Sequence, residues 1–316
     1  MLHDLLPGWA AERVGDAPRH PSFVADDGFP AEMSLNWSGG QPELRVLVDC
    51  LSEADAVRPA LAAMSRRFDQ VSAVFTDAPL WYSLAWRPPR PVGYKAYFGL
   101  YGWPAEQRFA ALDQAMERLG MARAWRDARR RVGDDGRRDV EFLGLDLVDT
   151  AESRAKIYYR NHGADIHELD RMASVAAEHD TEDALAAYRT LAGAHTDGGS
   201  EALTCLAFRS GLDRAAESTT YLRMPSLAPS DQEAVERTAE LLRRQGLDPR
   251  PWYAVAAALA PGGLAGSRGL VELVSYRAAR RRGDVTTYFR FPVYPQSAPI
   301  PVASGRPGAP AERSLA

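Results

Sequence analysis

The sequence predicts an α/β fold of ten antiparallel strands in five helix-plus-hairpin repeats, with the helices outside. Three observations predict it. Two-residue alternation and helical stripes follow one another in a regular series. A common register runs through the second strand of each hairpin. Only two lysines stand against thirty-six arginines, and both, Lys95 and Lys156, occupy the pattern Lys-x-Tyr. Residues two apart in a strand share a face, so each motif sets an ammonium beside an aromatic ring.

Taken in order, residues 34–38 and 43–49 read as strands joined by Gly39-Gly40, a hairpin signal, and 52–68 as an amphipathic helix. Residues 81–87 and 94–101 form a second pair around a Pro-rich turn, followed by a helix over 104–131 that breaks near Gly120. A third pair spans 141–148 and 154–160, with 166–192 helical after it. A fourth spans 202–209 and 218–224, and helices at 230–245 and 251–259 lead to a fifth at 270–277 and 285–291.

Aligning the second strands superposes Lys95-Ala96-Tyr97, Lys156-Ile157-Tyr158, Thr219-Thr220-Tyr221 and Thr286-Thr287-Tyr288. Arg45 and Leu47 hold the equivalent places in the first hairpin, and Arg160, Arg223 and Arg290 follow three of the tyrosines by two residues. One face thus carries a layer Arg45, Lys95, Lys156, Thr219, Thr286, with Leu47, Tyr97, Tyr158, Tyr221 and Tyr288 beside it. If the strands close into a barrel, these layers line its lumen, and ten strands make a bore wide enough for a cavity.

The bulk numbers fit this picture. With 316 residues, 46% hydrophobic and 25% charged, the chain reads as soluble and globular. A net charge of -4 argues against general nucleic-acid binding. Cys50 and Cys205 lie far apart without metal-binding spacing and read as free thiols of a cytoplasmic protein. No signal peptide and no membrane-spanning apolar run stand out. Residues 1–295 read as one barrel domain, and 296–316, rich in Pro, Ala, Gly and Ser, as a disordered tail.

These residues resemble the aromatic prenyltransferases of the ABBA (ααββ) barrel type, in the indole, or dimethylallyltryptophan synthase, branch. The matching segments are Glu32-Met33-Ser34 with Leu44-Arg45-Val46, Lys95-Ala96-Tyr97, Ser153-Arg154-Ala155-Lys156-Ile157-Tyr158, and Thr287-Tyr288 through Val293-Tyr294-Pro295. They spread over nearly the whole chain, and the Arg-x-Lys-x-Tyr strand is the most specific. Only about thirty residues precede Glu32, fewer than in the larger fungal members, and the resemblance is to a bacterial one.

The resemblance implies transfer of a dimethylallyl or related prenyl group from its diphosphate to an indole or tryptophan-derived acceptor, without metal. Arg45, Lys95, Arg154 and Lys156 would hold the diphosphate, with Arg223, Arg277 and Arg290 as helpers. Tyr97, Tyr158, Tyr221 and Tyr288 would shield the allyl cation from water. Glu32, just before the first strand, would accept the indole N–H and help remove the final proton. Trp81 and Ser83, on one face of the third strand, are candidates for the acceptor pocket, whereas Trp86 has the opposite parity and is expected under a helix. The expected partners are a prenyl diphosphate and a small aromatic acceptor, with no cofactor, nucleic acid or membrane, in a cytoplasmic monomer or homodimer.

Other signals are weaker. In Asp134-Asp135-Gly136-Arg137-Arg138-Asp139 the third Asp comes one residue too late for a DDxxD magnesium motif. His162 and His167 lack a third ligand at usable spacing and read as surface histidines. Residues 262–266 are too loose for a dinucleotide fingerprint, and Arg280 to Arg282 read as a solvated loop. Two alternatives stand beside the indole reading: the same fold acting on a phenolic, naphthalene or phenazine acceptor, and a non-catalytic barrel binding an anionic hydrophobic ligand. Lys95→Ala and Lys156→Ala are expected to lose about 100-fold in kcat/KM for the donor while thermal unfolding changes little. Normal turnover in either variant would misplace the clamp.

Overall fold

The computed structural model describes residues 6–25, 27–38, 41–133, 136–194, 201–279, 283–291 and 293–294. Gly39-Gly40, Asp134-Asp135, Arg280 to Arg282 and the 296–316 tail, each assigned from the sequence, lie outside them. Ten strands form one closed antiparallel barrel: β1 (Ala31–Asn36), β2 (Glu43–Asp49), β3 (Leu80–Trp86), β4 (Gly93–Gly99), β5 (Arg138–Asp146), β6 (Ala155–Asn161), β7 (Ala202–Phe208), β8 (Glu217–Arg223), β9 (Val271–Arg277) and β10 (Asp284–Phe289). Each pairs with its sequence neighbours, and β10 returns to β1 through Met33↔Phe289 and Ser34↔Tyr288.

Strand alternation sorts side chains between two environments. The outward set is apolar. Ala155, Ile157 and Tyr159 of β6, with Leu143 and Leu145 of β5, join one large core. That core packs under α1 (Ala54–Met64), α2 (Arg66–Ser72), α3 (Ala105–Arg118) and α4 (Ala122–Val132). Leu222, Val274, Tyr276, Val285 and Phe289 join a second. It packs under α5 (Ile166–Ala173), α6 (Thr181–Ala192), α7 (Met224–Leu227), α8 (Asp231–Arg244) and α9 (Arg250–Leu259). A third, small cluster of Tyr158, Leu203, Cys205 and Tyr221, with Tyr97, Phe142 and Tyr288 against it, belongs to the lumen.

The elements differ from the sequence expectations in a few places. The 52–68 helix is a short 3-10 turn plus two helices, because Ser65 is extended (φ -153°, ψ 127°) and its hydroxyl accepts the Arg67 N–H that opens α2. The 166–192 helix is also two, each opened by an aspartate cap, Asp165 and Asp180. The break near Gly120 is present, with φ +69° there. β1 starts at Ala31, so Glu32 lies inside the strand rather than before it. Trp86 does have outward parity, yet as the last residue of β3 it is 51% exposed rather than packed under a helix.

Two bulges change what faces inward. β5 steps from Val140↔Tyr159 to Phe142↔Tyr158, and β9 from Leu273↔Tyr288 to Val271↔Phe289. The extra residues are Glu141 and Glu272, which alternation alone would send outward. The N-terminal segment crosses the barrel end where these glutamates lie. Ser22 donates to Asp49 (2.6 Å), and the Phe23 ring stacks on Tyr101 at 5.4 Å. Among the described residues no helix is long and apolar enough to cross a membrane.

Candidate active site

The even-numbered strands all run the same way, so their common register becomes stacked layers inside the barrel. Where these strands begin, Arg45, Lys95, Lys156, Arg154 and Arg277 gather. They are five of the seven cations that the resemblance assigns to diphosphate. Carboxylates from the same or a neighbouring strand hold most of them. Arg45 donates to Glu43 at 2.8 Å, Arg154 to Asp146 at 2.8 Å and to Glu217 at 3.0 Å, and Arg277 to Asp284 at 3.0 Å. Lys95 lies 4.0 Å from Asp146, whereas Lys156 forms no ion pair among the described residues.

The lysines pay an electrostatic penalty here. Burial lowers the proton affinity of Lys95 well below its ordinary value, and Lys156, Arg45 and Arg154 push it further down against Asp146. Lys156 is lowered by burial and by Arg154 and Arg45. Burial alone would raise Asp146, but Lys95, Lys156 and Arg154 outweigh it and hold its carboxyl below the usual range. Counting Arg87 and Arg209, seven cations stand against five carboxylates, Glu43, Asp146, Glu217, Asp284 and the exposed Glu152. With both lysines protonated the surplus is two positive charges, which suits a multiply charged anion. The side chains of Arg45, Lys95 and Arg154 keep 23%, 14% and 24% of their surface accessible inside a closed barrel, so the lumen has room beside them.

One layer further along each strand stands a belt of rings. Tyr97–Tyr158, Tyr158–Tyr221 and Tyr221–Tyr288 have centroid separations of 6.3, 5.8 and 5.7 Å. Phe142 stacks on Tyr158 at 4.1 Å. Gly144 gives the belt room, since a Cβ there would lie 3.0 Å from the Tyr97 ring, a contact that the ring must move to relieve. Burial raises all four phenols, so they remain neutral hydrogen-bonding groups. Burial also pushes the Cys205 thiol in the same cluster up to about 11, which leaves it inert.

Beyond the belt the cationic surplus ends and carboxyl groups gather. Glu32, Glu141, Glu201 and Glu272 lie here. Arg160 pairs with Glu141, and Arg223 with Glu272 at 2.6 Å and with Glu201. Tyr101 donates to Glu141 at 3.2 Å. Burial raises Glu32 to about 8, and the charge of Glu272 adds to the rise. The structure therefore separates Arg223 and Arg290 from the two lysines. Each follows its tyrosine, so it stands four residues, about 13 Å, along the strand from the lysine layer. Trp81 and Ser83 do face the lumen, where they pair with Tyr97 and Lys95 across β3 and β4. The Trp81 ring packs against Tyr101 (5.9 Å) and Phe142 (5.8 Å), and its buried indole N–H has no hydrogen-bond partner among the described residues.

Sequence reasoning missed the carboxylates on both sides of the belt. Asp146 and Glu217 could have been found, since they share the inward parity of Gly144 and Tyr221. Glu141 and Glu272 could not, because bulges place them.

No protein-family model matches the chain. Among solved structures, it is similar to 6-dimethylallyltryptophan synthase from Micromonospora olivasterospora in complex with DMASPP and Trp. The TM-score is 0.84 and the identity 28%, over 94% of this chain and 92% of that one. It is similar to 5-dimethylallyltryptophan synthase from Streptomyces coelicolor, with TM-score 0.81, 26% identity and coverage of 94% and 91%. The prenyltransferase PriB, as a ternary complex with L-tryptophan and dimethylallyl thiolodiphosphate, gives 0.79 and 26%, with coverage of 92% and 88%.

The proton affinity of Glu32 has a measurable consequence. Between the ordinary carboxyl value of 4.5 and about 8, the folded protein keeps a proton that the unfolded chain has released. Stability contributed by Glu32 is thus full below 4.5 and lost as pH rises through about 8. In denaturant titrations across this window, the gap between wild type and Glu32→Gln should widen in favour of the variant as pH rises. A gap independent of pH would show that Glu32 ionises normally.

Proposed function

We propose, from the premise that the chain is an ABBA-type aromatic prenyltransferase of the indole branch, that it moves a dimethylallyl group from dimethylallyl diphosphate to the ring of tryptophan or a tryptophan-derived indole. The observation that carries this is the tyrosine belt, with surplus cations on one side and Glu32 on the other, inside one closed barrel.

The diphosphate lies among Arg45, Lys95, Arg154, Lys156 and Arg277. As the allylic C–O bond breaks, the departing diphosphate keeps the electron pair, and its growing charge meets cations already in place. Lysines whose ammonium form is disfavoured by burial and by neighbouring cations gain most from such an anion. The allyl cation rests against Tyr97, Tyr158, Tyr221 and Tyr288, whose ring faces attract it and whose bulk excludes water. Across the belt, in the fraction of the enzyme whose Glu32 has released its proton, the indole N–H donates to that carboxylate, the ring carbon attacks, and the displaced ring proton leaves to Glu32. A carboxyl raised to about 8 is a stronger proton acceptor than an ordinary glutamate. Trp81 supports the acceptor ring. Arg223 and Arg290 belong to the acceptor side, not to the diphosphate. The enzyme works without metal, in the cytoplasm, as a monomer or homodimer.

Incubation with dimethylallyl diphosphate and tryptophan in EDTA should release diphosphate and yield a singly prenylated product by mass spectrometry. Glu32→Gln should reduce indole turnover about 100-fold or more. Unaffected indole turnover in that variant would count against this reading. No diphosphate release with any aromatic acceptor would leave a binding protein.

A further inference from the structure

Glu217 opens β8 on the inward face and is 4% exposed. Three arginines from three other parts of the chain converge on its carboxylate. Arg154, just before β6, donates Nη1 to Oε2 at 3.0 Å, and Arg277, the last residue of β9, lies 2.9 Å from the same oxygen. Arg209, just after β7, donates to Oε1. Each arginine has a second anchor: Asp146 takes Nε of Arg154, Asp284 takes Nη2 of Arg277, and Glu152 lies 3.2 Å from Arg209.

Neither the resemblance nor the proposed mechanism uses this carboxylate. It lies two residues before Thr219 on β8, within the field of Lys156, where three guanidiniums drawn to one point would otherwise repel one another. Burial pushes Glu217 up, yet Arg154, Arg277 and Arg209 together hold it below the usual carboxylate range, so it stays charged. Its anchoring leaves each guanidinium with further N–H groups: Arg154 uses Nε and one Nη1 hydrogen, which frees its Nη2 edge.

We propose that Glu217 is a positioning residue that gathers Arg154, Arg209 and Arg277 into a preformed cradle for the prenyl diphosphate. The carboxylate does not touch the ligand. It fixes the forks that do, and it cancels one charge of three so that a net cationic surface survives. Arg209 thereby joins the diphosphate site. Without Glu217, the partly exposed arginines separate toward Asp146, Asp284 and the surface carboxylate Glu152.

The inference rests on the donor assignment made above, and the test separates the two. Calorimetric titration of wild type, Glu217→Gln and Glu217→Asp is made with dimethylallyl thiolodiphosphate and, separately, with tryptophan. Wild type should bind the thiolodiphosphate and Glu217→Gln should bind it about 10- to 100-fold more weakly, the scale for losing a group that orients a binding side chain. Tryptophan, across the belt, should bind both alike, and Glu217→Asp should fall between them. Equal or tighter donor binding in Glu217→Gln overturns the positioning role, because it would show Glu217 merely opposing the anion. Parallel weakening of donor and tryptophan also overturns it, as the mark of general loosening. Should Glu217→Gln not fold, unchanged donor affinity in Glu217→Asp is equally fatal. A wild type that binds tryptophan but no thiolodiphosphate sinks the donor assignment itself.

Discussion

Everything in the lumen depends on closure of ten antiparallel strands. Closure makes every second residue of each strand face one enclosed space, and it makes the even-numbered strands run the same way. A step of two residues along any of them is then the same step along the lumen. Lys95 to Tyr97, Lys156 to Tyr158, Thr219 to Tyr221 and Thr286 to Tyr288 each cross from a polar layer into the belt. An open sheet with the same residues would leave the rings on a surface, wet and spread apart.

Charge shapes the two chambers differently. On the lysine side cations outnumber carboxylates, and the excess is tolerated because Glu43, Asp146, Glu217 and Asp284 tie down the arginines. Removing one partner from a buried pair costs about 3–5 kcal/mol, so such a cluster is stable only as a set. The lysines take up the remaining strain by losing proton affinity. On the other side Glu141, Glu201 and Glu272 stand against Arg160, Arg223 and Arg290, and Glu32 holds its proton. Crossing the belt removes the cationic surplus over a distance of one ring.

Much of this was legible in the sequence because strand parity needs no tertiary information. The Lys-x-Tyr and Thr-x-Tyr register alone placed both layers, and β2 fell at the residues expected. The same register also carried the true place of Arg223 and Arg290: two residues past the tyrosine is one layer past the belt. Assigning them by charge type overrode that geometry. What parity could not supply is the pair of bulges, where one inserted residue turns Glu141 and Glu272 inward. Nor could helical stripes locate Ser65 or residues 174–180 as breaks, since capping hydrogen bonds decide those ends.

A crystal structure with dimethylallyl thiolodiphosphate and tryptophan bound together tests the two-chamber account most directly. The account places the diphosphate oxygens about 2.8 Å from Lys95, Lys156 and Arg154. It places the indole N–H on Glu32, with the tyrosine belt around the prenyl group. Diphosphate bound by Arg160 and Arg223, or both ligands on one side of the belt, would contradict it.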